Sequence, residues 1–398
     1  MEQTWRWFGP DDAVTLPEIC QTGATSIVTA LHHIPYGVVW DGEEILKRKW
    51  LIESDRSLGL RWSVVESLPV AESIKLGEGN LAQVFDNYRA SIRNLGATGV
   101  RTVCYNFMPI VDWTRTQLAA PLPGGATALR FNAHEYAAFD CFMLRRKGAE
   151  ADHEPIVLSH AREWIDAASE SDKDRLLATI MAGLPGAYDR YDIPGLRRML
   201  DRYADIDRNG LRDNLKRFLT AVVPAAEQAG VALCIHPDDP PRSVFGLPRV
   251  VSTADDLDFI VHAVDSPANG ITLCTGSLGA HKTNDLGAIA RRFAPRTHFV
   301  HLRNVTKEAD GSFVEADHLG GDVDMVDVVT AVLDEQSQRK NKGQTDWRIP
   351  FRPDHGHEML DDSRRKTHPG YPLVGRLRGL AEIRGVMKAV AAINKLPI

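Results

Sequence analysis

The chain has 398 residues, of which 43% are hydrophobic and 25% are charged, and its formal net charge is −6 at pH 7. These proportions are typical of a globular protein with a large core, and the acidic balance argues against nucleic acid as the main partner, since that function usually needs a basic face. The first residues show no basic stretch followed by an apolar run, and no stretch reaches the roughly 18 apolar residues of a membrane span. The five cysteines are scattered along the chain. We therefore expect a cytoplasmic protein without a signal peptide, membrane span or disulfide framework.

Short β-type apolar runs recur along the chain, and most are followed by a helical pattern. The runs lie at 5–8, 26–30, 62–66, 102–107, 232–236, 271–274, 297–302 and 349–352. Periodic segments predict helices at 81–95, 211–229, 257–264, 286–293, 323–333 and 377–393. Strands that alternate with helices form parallel βαβ units, so the pattern predicts an α/β fold: one eight-stranded parallel β/α (TIM) barrel domain over residues 1–398. An open doubly wound sheet is the alternative, although no Gly-x-Gly-x-x-Gly follows an early strand.

The gap between the fourth and fifth runs is much longer than the about 30 residues that one unit needs. The excess, 113–209, contains charged helical patterns at 161–182 and 193–203. We therefore predict a large helical insertion between strands 4 and 5, on the active-site face, where barrels carry such additions in their βα loops. It could serve as a lid or as an oligomer contact, and we expect a homo-oligomer, a dimer or higher.

The last four runs each end in residues that can bind a metal ion. Their ends read Cys234-Ile-His236, Leu-Cys274, Val-His301-Leu-Arg303 and Arg352-Pro-Asp354-His355-Gly-His357. Functional side chains of a barrel sit at the carboxyl ends of its strands, so these nitrogen, sulfur and oxygen donors can converge on one cation. Such a mixture suits a divalent transition metal better than magnesium. Side-chain alternation places Cys234 deeper than His236 on the same face, which predicts His236 as the ligand and Cys234 as a core residue. His298 begins its strand, far from the site.

Further residues are candidates for contact with an anionic substrate. Arg303 and Arg352 flank the proposed ligands, and a guanidinium can bind a carboxylate through two parallel hydrogen bonds. Salt bridges to acids of the barrel rim are the alternative for both. His318, in a glycine-rich loop, could contact substrate or face solvent. Tyr371, between prolines, could be held over the barrel mouth or could fix its loop to the last helix.

The stretches TALHHIP, CIHPDDPP, HLRNV, DHLGGDVDM, RPDHGHEM and PGYPLVGRLRGL resemble the mannonate dehydratase family of the hexuronate pathway. The resemblance implies a xylose-isomerase-like barrel and a hydro-lyase of glucuronate catabolism, which uses Mn²⁺ or Fe²⁺ to convert D-mannonate into 2-dehydro-3-deoxy-D-gluconate and water. Matched residue by residue, it implies four metal ligands, His236, Cys274, His301 and Asp354. It implies Asp354 and Tyr371 as the catalytic pair, with His355 as a substitute or orienting partner.

Two other functions are compatible with these patterns. A metal-dependent sugar isomerase or epimerase would use the same barrel and the same metal. A catalytically silent barrel that binds sugar acids would leave His236, Cys274 and His301 with structural contacts alone. The family-like residues His32, His33 and Glu66 lie at strand ends, and no role is predicted for them.

Overall fold

The structure is a computed structural model that describes residues 1–183 and 191–397. Its strands are β1 (Glu2–Arg6), β2 (Ser26–Thr29), β3 (Arg61–Glu66), β4 (Thr102–Tyr105), β5 (Gln117–Pro121), β6 (Thr127–Phe131), β7 (Ala232–Ile235), β8 (Asn269–Cys274), β9 (Thr297–His301), β10 (Asn304–Lys307), β11 (Phe313–Ala316) and β12 (Pro350–Arg352). Its α-helices are α1 (Leu16–Gln21), α2 (Gly42–Glu53), α3 (Glu72–Leu76), α4 (Leu81–Ala97), α5 (Ala133–Ala138), α6 (Pro155–Ala167), α7 (Glu170–Ile180), α8 (Ile193–Arg202), α9 (Arg208–Ala229), α10 (Ala254–Ala263), α11 (Thr275–Gly279), α12 (Leu286–Phe293), α13 (Met325–Asn341) and α14 (Leu373–Asn394).

Eight parallel strands close into a barrel in the order β1-β12-β9-β8-β7-β4-β3-β2. Each of the eight predicted runs overlaps one of these strands, so the predicted barrel is confirmed. Successive side chains of a strand point to opposite faces, and one face of these strands packs on the helices. A separate apolar cluster from the other face fills the barrel interior: Val28, Val64, Cys104, Cys234 and Phe299. Cys234 is therefore a core residue, as predicted.

Helix boundaries follow local sequence signals. The side chain of Thr253 accepts a hydrogen bond from the Asp256 N–H and begins α10 in a capping box, and Asp324 caps α13 in the same position. Helix α9 ends at Gly230, whose φ of 63° lies in the left-handed region that glycine adopts without strain. These signals fix where each helix leaves the barrel and where the next strand begins.

The segment between β4 and β7 is not helical throughout. Besides α5–α8, it contains the hairpin β5–β6, which the sequence patterns did not predict. The predicted helical pattern at 161–182 is divided into α6 and α7, because Ser169 caps α7 and forms a capping box with Asp172. Residues 184–190 of this insertion lie outside the described residues.

A four-stranded antiparallel sheet joins the insertion to the loop after β9. Its order is β10-β11-β6-β5, so one hairpin comes from each segment. Aromatic residues of a second apolar cluster, Phe131, Tyr136, Phe139, Phe245 and Phe313, pack beneath it. The insertion is thereby held against the carboxyl ends of the barrel strands.

Strand register explains why the functional residues meet at one level. Cys274 at the end of β8 pairs with His301 at the end of β9, and His301 pairs with Arg352 at the end of β12. Paired residues of parallel strands point to the same face of a sheet. The three side chains therefore enter the barrel mouth side by side.

Candidate active site

A group of three side chains that can hold a metal ion lies at the barrel mouth. His236, Cys274 and His301 each offer a donor atom, and these atoms lie within 4.8 Å of one another. Cys274 and His301 are buried, and His236 is half-buried. The three strand ends that the sequence analysis selected thus supply a nitrogen, a sulfur and a second nitrogen to one point.

Neighbouring groups contact both imidazoles. Nδ1 of His236 lies 2.7 Å from the Pro237 carbonyl, which can only accept, so this nitrogen carries the proton and Nε2 keeps its lone pair. Nε2 of His301 lies 3.3 Å from a Glu66 carboxylate oxygen and 3.2 Å from Arg352 Nε. Nδ1 of His301 faces His236 Nε2 at 3.2 Å. His236 thus donates its other N–H to a carbonyl, as metal-binding histidines commonly do.

Asp354 completes the group from the segment after β12. One carboxylate oxygen lies 3.8 Å from His301 Nδ1, and the other lies 3.7 Å from Cys274 Sγ. Asp354 has a φ of 66°, an uncommon conformation for a residue with a side chain, and such conformations persist where the surroundings impose them. Burial alone would raise the pKa of Asp354, but the Arg352 guanidinium, His355 and Arg303 hold it well below the usual range. The group is therefore an anion at neutral pH.

The donor set fits a divalent transition metal. Two imidazoles, one thiol and one carboxylate combine nitrogen, sulfur and oxygen ligands, which suits Mn²⁺, Fe²⁺ or Zn²⁺ better than Mg²⁺. The Cys274 sulfur also accepts from the Ser277 N–H at 3.4 Å, and Arg303 Nη2 lies 3.9 Å away. Cysteine binds metals as the thiolate.

Arg303 and Arg352 already bind carboxylates of the protein. Arg303 contacts Asp239 at 2.7 Å, Glu315 at 2.7 Å and Asp354 at 3.1 Å. Arg352 contacts Glu66 at 2.8 Å and Asp354 at 2.5 Å. The salt-bridge alternative raised for both arginines is therefore present in the structure. Both also line the chamber described below, and their contact with substrate stays a prediction.

Arg303 approaches the backbone closely at Gly276. A Cβ atom at position 276 would lie 1.9 Å from Arg303 Nε. No side chain can therefore occupy this position while Arg303 keeps its three carboxylate contacts. Gly276 thus allows Arg303 to pack next to the Cys274 thiol.

His355 is held by a carboxylate and turned towards Asp354. Its Nδ1 lies 2.8 Å from Glu315, and its Nε2 lies 3.9 Å from Asp354. Burial raises the pKa of Glu315, but His355, Arg303 and Arg115 lower it to about 2. Glu315 is thus an anion that selects the Nδ1–H tautomer of His355, and Nε2 keeps its lone pair on the chamber side.

Tyr371 lies beside His355, just before α14. The two rings are 4.8 Å apart in an edge-to-face arrangement, and Phe8 packs edge-on to the tyrosine at 4.9 Å. Burial raises the pKa of Tyr371 to about 12, with Arg352 opposing the rise. The phenol is therefore a proton donor rather than a base.

Several of the residues described above line a small chamber at the barrel mouth. It has a volume of about 30 Å³, and its wall includes Glu66, Asp112, His236, Arg303, Arg352, Asp354, His355 and Tyr371. A larger cavity of about 530 Å³ adjoins it and shares with it four residues: Ser67, Asn106, Met108 and Asp112. The chamber and its neighbour together offer space for a small polar molecule next to the donor cluster.

His318 lies outside this chamber. Its Nε2 is 2.7 Å from the Pro353 carbonyl, and its ring packs on Gly379 of α14, where a Cβ would lie 2.1 Å from it. Burial lowers the pKa of this imidazole. The ring is buried between the loop and the helix and is not among the residues that line the chamber, and its contact with substrate stays a prediction. His318 instead contacts the carbonyl of Pro353, the residue before Asp354.

Glu66 and Glu315 are functional candidates to which the sequence analysis gave no role. Glu66 ends β3 inside a family-like stretch, so its position at a strand end was the available signal. Glu315 lies on β11, in the hairpin that follows β9, within a stretch rich in functional residue types. Its contact with His355 depends on the tertiary arrangement of the small sheet, which the sequence pattern does not show.

Among residues 1–183 and 191–397, the structure contains no helix with the length and apolar character of a transmembrane segment. The absence agrees with the lack of a long apolar run in the sequence.

The model of the UxuA family, D-mannonate dehydratase, matches residues 1–396. Mannonate dehydratase from Chromohalobacter salexigens is 55% identical, over 98% of this chain and 99% of its own length. The enzyme of the same name from Saccharophagus degradans is 50% identical, over 99% of each chain. The crystal structure of mannonate dehydratase from Streptococcus suis serotype 2 has a TM-score of 0.77 at 34% identity and covers 99% of this chain and 95% of that one. This chain therefore belongs to the D-mannonate dehydratase family, which confirms the family, the barrel and the hydro-lyase class predicted from the sequence.

Proposed function

We propose that this chain removes water from D-mannonate to form 2-dehydro-3-deoxy-D-gluconate, with a divalent cation held by His236, Cys274, His301 and Asp354. The observation that carries the proposal is the meeting of four donors from separate strand ends, each oriented by a second group of the protein. Family membership favours this reaction over the isomerase or epimerase alternative. The silent-barrel alternative would not require two imidazole nitrogens, a thiol and a carboxylate to lie around one point.

Mn²⁺ or Fe²⁺ is our proposal for the cation. Zn²⁺ binds such sites more tightly than either, so the identity in a preparation depends on which metals are available as well as on affinity. When bound, the cation supplies a positive charge that stabilises the doubly negative species formed as the substrate loses its proton at carbon 2. The buried guanidinium groups of Arg303 and Arg352 add to this field.

We assign the proton abstraction to His355. Asp354 contacts two guanidinium groups, which lower its pKa and make it a weak base. His355 resembles the histidine of a hydrolase triad, because Glu315 holds its Nδ1–H and leaves Nε2 free to accept a proton. The base takes the proton from carbon 2, and the electron pair of that bond forms the double bond between carbons 2 and 3.

Tyr371 is the proposed acid. It donates its proton to the hydroxyl at carbon 3, which leaves as water as the carbon–oxygen bond breaks. The resulting enol takes up a proton at carbon 3 and becomes the 2-keto acid. Because the pKa of the Tyr371 phenol is raised to about 12, the phenol is protonated at neutral pH and can donate its proton to the leaving hydroxyl.

A metal-reconstitution assay tests the proposed function. Protein stripped by a chelator is reloaded separately with Mn²⁺, Fe²⁺, Zn²⁺ and Mg²⁺ and incubated with D-mannonate. We expect a 2-keto-3-deoxy acid with Mn²⁺ or Fe²⁺ and little with Mg²⁺. Equal turnover in the stripped protein, or a product that keeps all its oxygen atoms, would refute the proposal.

The cellular context is proposed from the resemblance. We propose a role in hexuronate, that is glucuronate, catabolism in the cytoplasm, and a homo-oligomer of two or more subunits. Sedimentation analysis of the metal-loaded protein measures the oligomeric state, and a single species with the mass of one chain would contradict it. No nucleic-acid or membrane partner is expected from the net charge of −6 and the sequence patterns.

A further inference from the structure

The chamber beside the candidate metal ligands is the narrow part of the barrel mouth. Its volume is about 30 Å³, and among the described residues it shares wall residues with two larger cavities, of about 530 Å³ and about 390 Å³. A sugar acid whose carboxylate and first hydroxyl occupy the chamber would extend its remaining carbons into one of these cavities. The composition of the two walls distinguishes them.

The cavity of about 530 Å³ shares a polar wall with the chamber. The carboxyl of Asp112 and the amide of Asn106 lie in this wall, and the side chains of His32, Glu72 and Lys75 line the cavity beyond it. The second cavity, of about 390 Å³, shares Trp113 and Tyr371 with the chamber, and half of its wall is alanine, leucine, glycine and proline. Its other polar residues are Arg175, Thr179 and His368, and no carboxyl or amide side chain lines it among the described residues. A polyhydroxylated chain needs hydrogen-bond partners when it leaves water, so the first cavity suits it better.

Asp112 is buried, and among the described residues it forms no ion pair. It is 8% exposed, and one of its carboxyl oxygens accepts from the Trp113 N–H at 2.9 Å. No Lys, Arg or His nitrogen in the described ranges lies within ion-pairing distance of it, whereas Asp239 and Asp354 each contact arginines. Burial raises the pKa of Asp112 to about 6. A carboxyl in this state has acceptor capacity that the protein itself leaves unused.

The loop that carries Asp112 is held in a strained conformation. Ile110 has a φ of 63°, which is unfavourable for a β-branched residue. The Glu72 carboxylate accepts from the Ile110 N–H at 3.1 Å, and Lys75 donates to the Met108 carbonyl at 2.8 Å. Arg249 donates to the Val111 carbonyl at 3.1 Å. Three charged side chains thus fix the backbone immediately before Asp112, and strain maintained in this way is commonly found at ligand sites.

We propose that the cavity beyond Asp112 is the subsite for the hydroxylated tail of the substrate, carbons 4 to 6, and that Asp112 and Asn106 bind those hydroxyls. This inference rests on the proposed reaction and adds the position of the substrate chain. Asp112 accepts hydrogen bonds from the tail hydroxyls and fixes the chain so that carbon 2 faces His355. The ion pair of Glu72 and Lys75 acts as a positioning element, because it holds the loop without entering the chamber.

The test compares substrate binding with turnover in the metal-loaded enzyme. Asp112→Asn keeps the oxygen that accepts from Trp113 but loses the charge. We expect the KM for D-mannonate to rise about tenfold, the effect of losing one charge-assisted hydrogen bond, with kcat within about threefold. The inhibition constant of glycolate, a two-carbon hydroxy acid without a tail, should not change.

Two further variants serve as controls for the position of the substrate tail. Asp238→Asn alters a buried carboxyl with a raised pKa that lines neither cavity, and it should leave the KM unchanged. Arg175→Ala removes a cation from the second cavity. An unchanged KM in Asp112→Asn, a fall in kcat alone, or a parallel rise in the glycolate constant would overturn the proposal. A rise in KM confined to Arg175→Ala would move the tail to the second cavity. Failure of the reaction itself would instead appear as no product in any variant.

Discussion

Glu66 and Asp354 bind opposite ends of one guanidinium group. Nη2 of Arg352 lies 2.8 Å from Glu66, and Nη1 lies 2.5 Å from Asp354. Glu66 also contacts His301, so one carboxylate contacts an imidazole and, through Arg352, the carboxylate of Asp354. The candidate metal ligands therefore depend on a residue that is not itself one of them.

Substitution of Glu66 by Gln should weaken metal binding. The pKa of Glu66 is well below its usual range despite burial, because Arg352 and His301 stabilise the anion. Removing the charge leaves His301 without a strong acceptor, and changes of this kind cost about 10- to 100-fold in metal affinity. Competition with a chromogenic chelator measures the effect. Glu335→Gln, which breaks a buried ion pair with Arg339 in α13, is the control and should retain the metal.

Cys274→Ala should abolish metal retention, whereas Cys234→Ala should not. Both thiols are fully buried, but Cys274 belongs to the donor group and Cys234 to the apolar cluster of the barrel interior. Metal content per chain after gel filtration distinguishes them. Co²⁺-loaded protein should show a sulfur-to-metal absorption band that disappears in Cys274→Ala alone. Retention of the full metal content in Cys274→Ala would show that Cys274 is not a metal ligand.

Glu315→Gln should slow the reaction while the metal stays bound. The neutral amide no longer favours the imidazolium that forms when His355 takes up a proton, and general-base catalysis contributes about 10²- to 10⁴-fold. We expect a loss of kcat of about 10²-fold, with a still larger loss in His355→Ala. If the metal content falls in parallel, Glu315 supports the metal site and the assignment of His355 as the base is wrong.

Tyr371→Phe should lower kcat by about 10²- to 10³-fold, because the leaving hydroxyl loses its proton donor. The ring packing against Phe8 and His355 is preserved, so the melting temperature and metal content should stay close to those of the parent. Because the pKa of Tyr371 is about 12, no loss of activity from its ionisation is expected below about pH 11. A variant with full activity would assign the acid role elsewhere.

Asp112→Asn should stabilise the metal-free protein at pH 8 but not at pH 4. The pKa of Asp112 is raised from 3.8 to about 6 by burial, so the folded state binds the proton more tightly than the unfolded state. This stabilising term is lost as the pH rises between these values, and above pH 6 the buried carboxylate costs about 3 kcal/mol. The amide does not ionise, so chemical denaturation at the two pH values should show a gain only at the higher one. Equal changes at both would contradict the shift.

The barrel and its candidate metal ligands could be predicted because they depend on local sequence patterns. Short β-type apolar runs followed by helical patterns indicated the strands, and the rule that side chains act at carboxyl ends of strands selected His236, Cys274 and His301. The β5–β6 hairpin was missed, since its pairing with β11 lies far away in the sequence. Glu315 and the carboxylate contacts of Arg303 depend on that pairing. The burial of the His318 ring against Gly379 also leaves no local signal in the sequence.

The small antiparallel sheet links the chemistry of the site to the insertion. Arg115, which precedes β5, is fully buried and contacts both Asp239 and Glu315. A deletion that trims residues 113–209 to a minimal barrel would therefore remove one of the two guanidinium groups that Asp239 and Glu315 share, the other being that of Arg303. It would also release the hairpin that presents the partner of His355. Any shortened catalyst built on this scaffold would need to restore the charge of Arg115 before it could be expected to turn over.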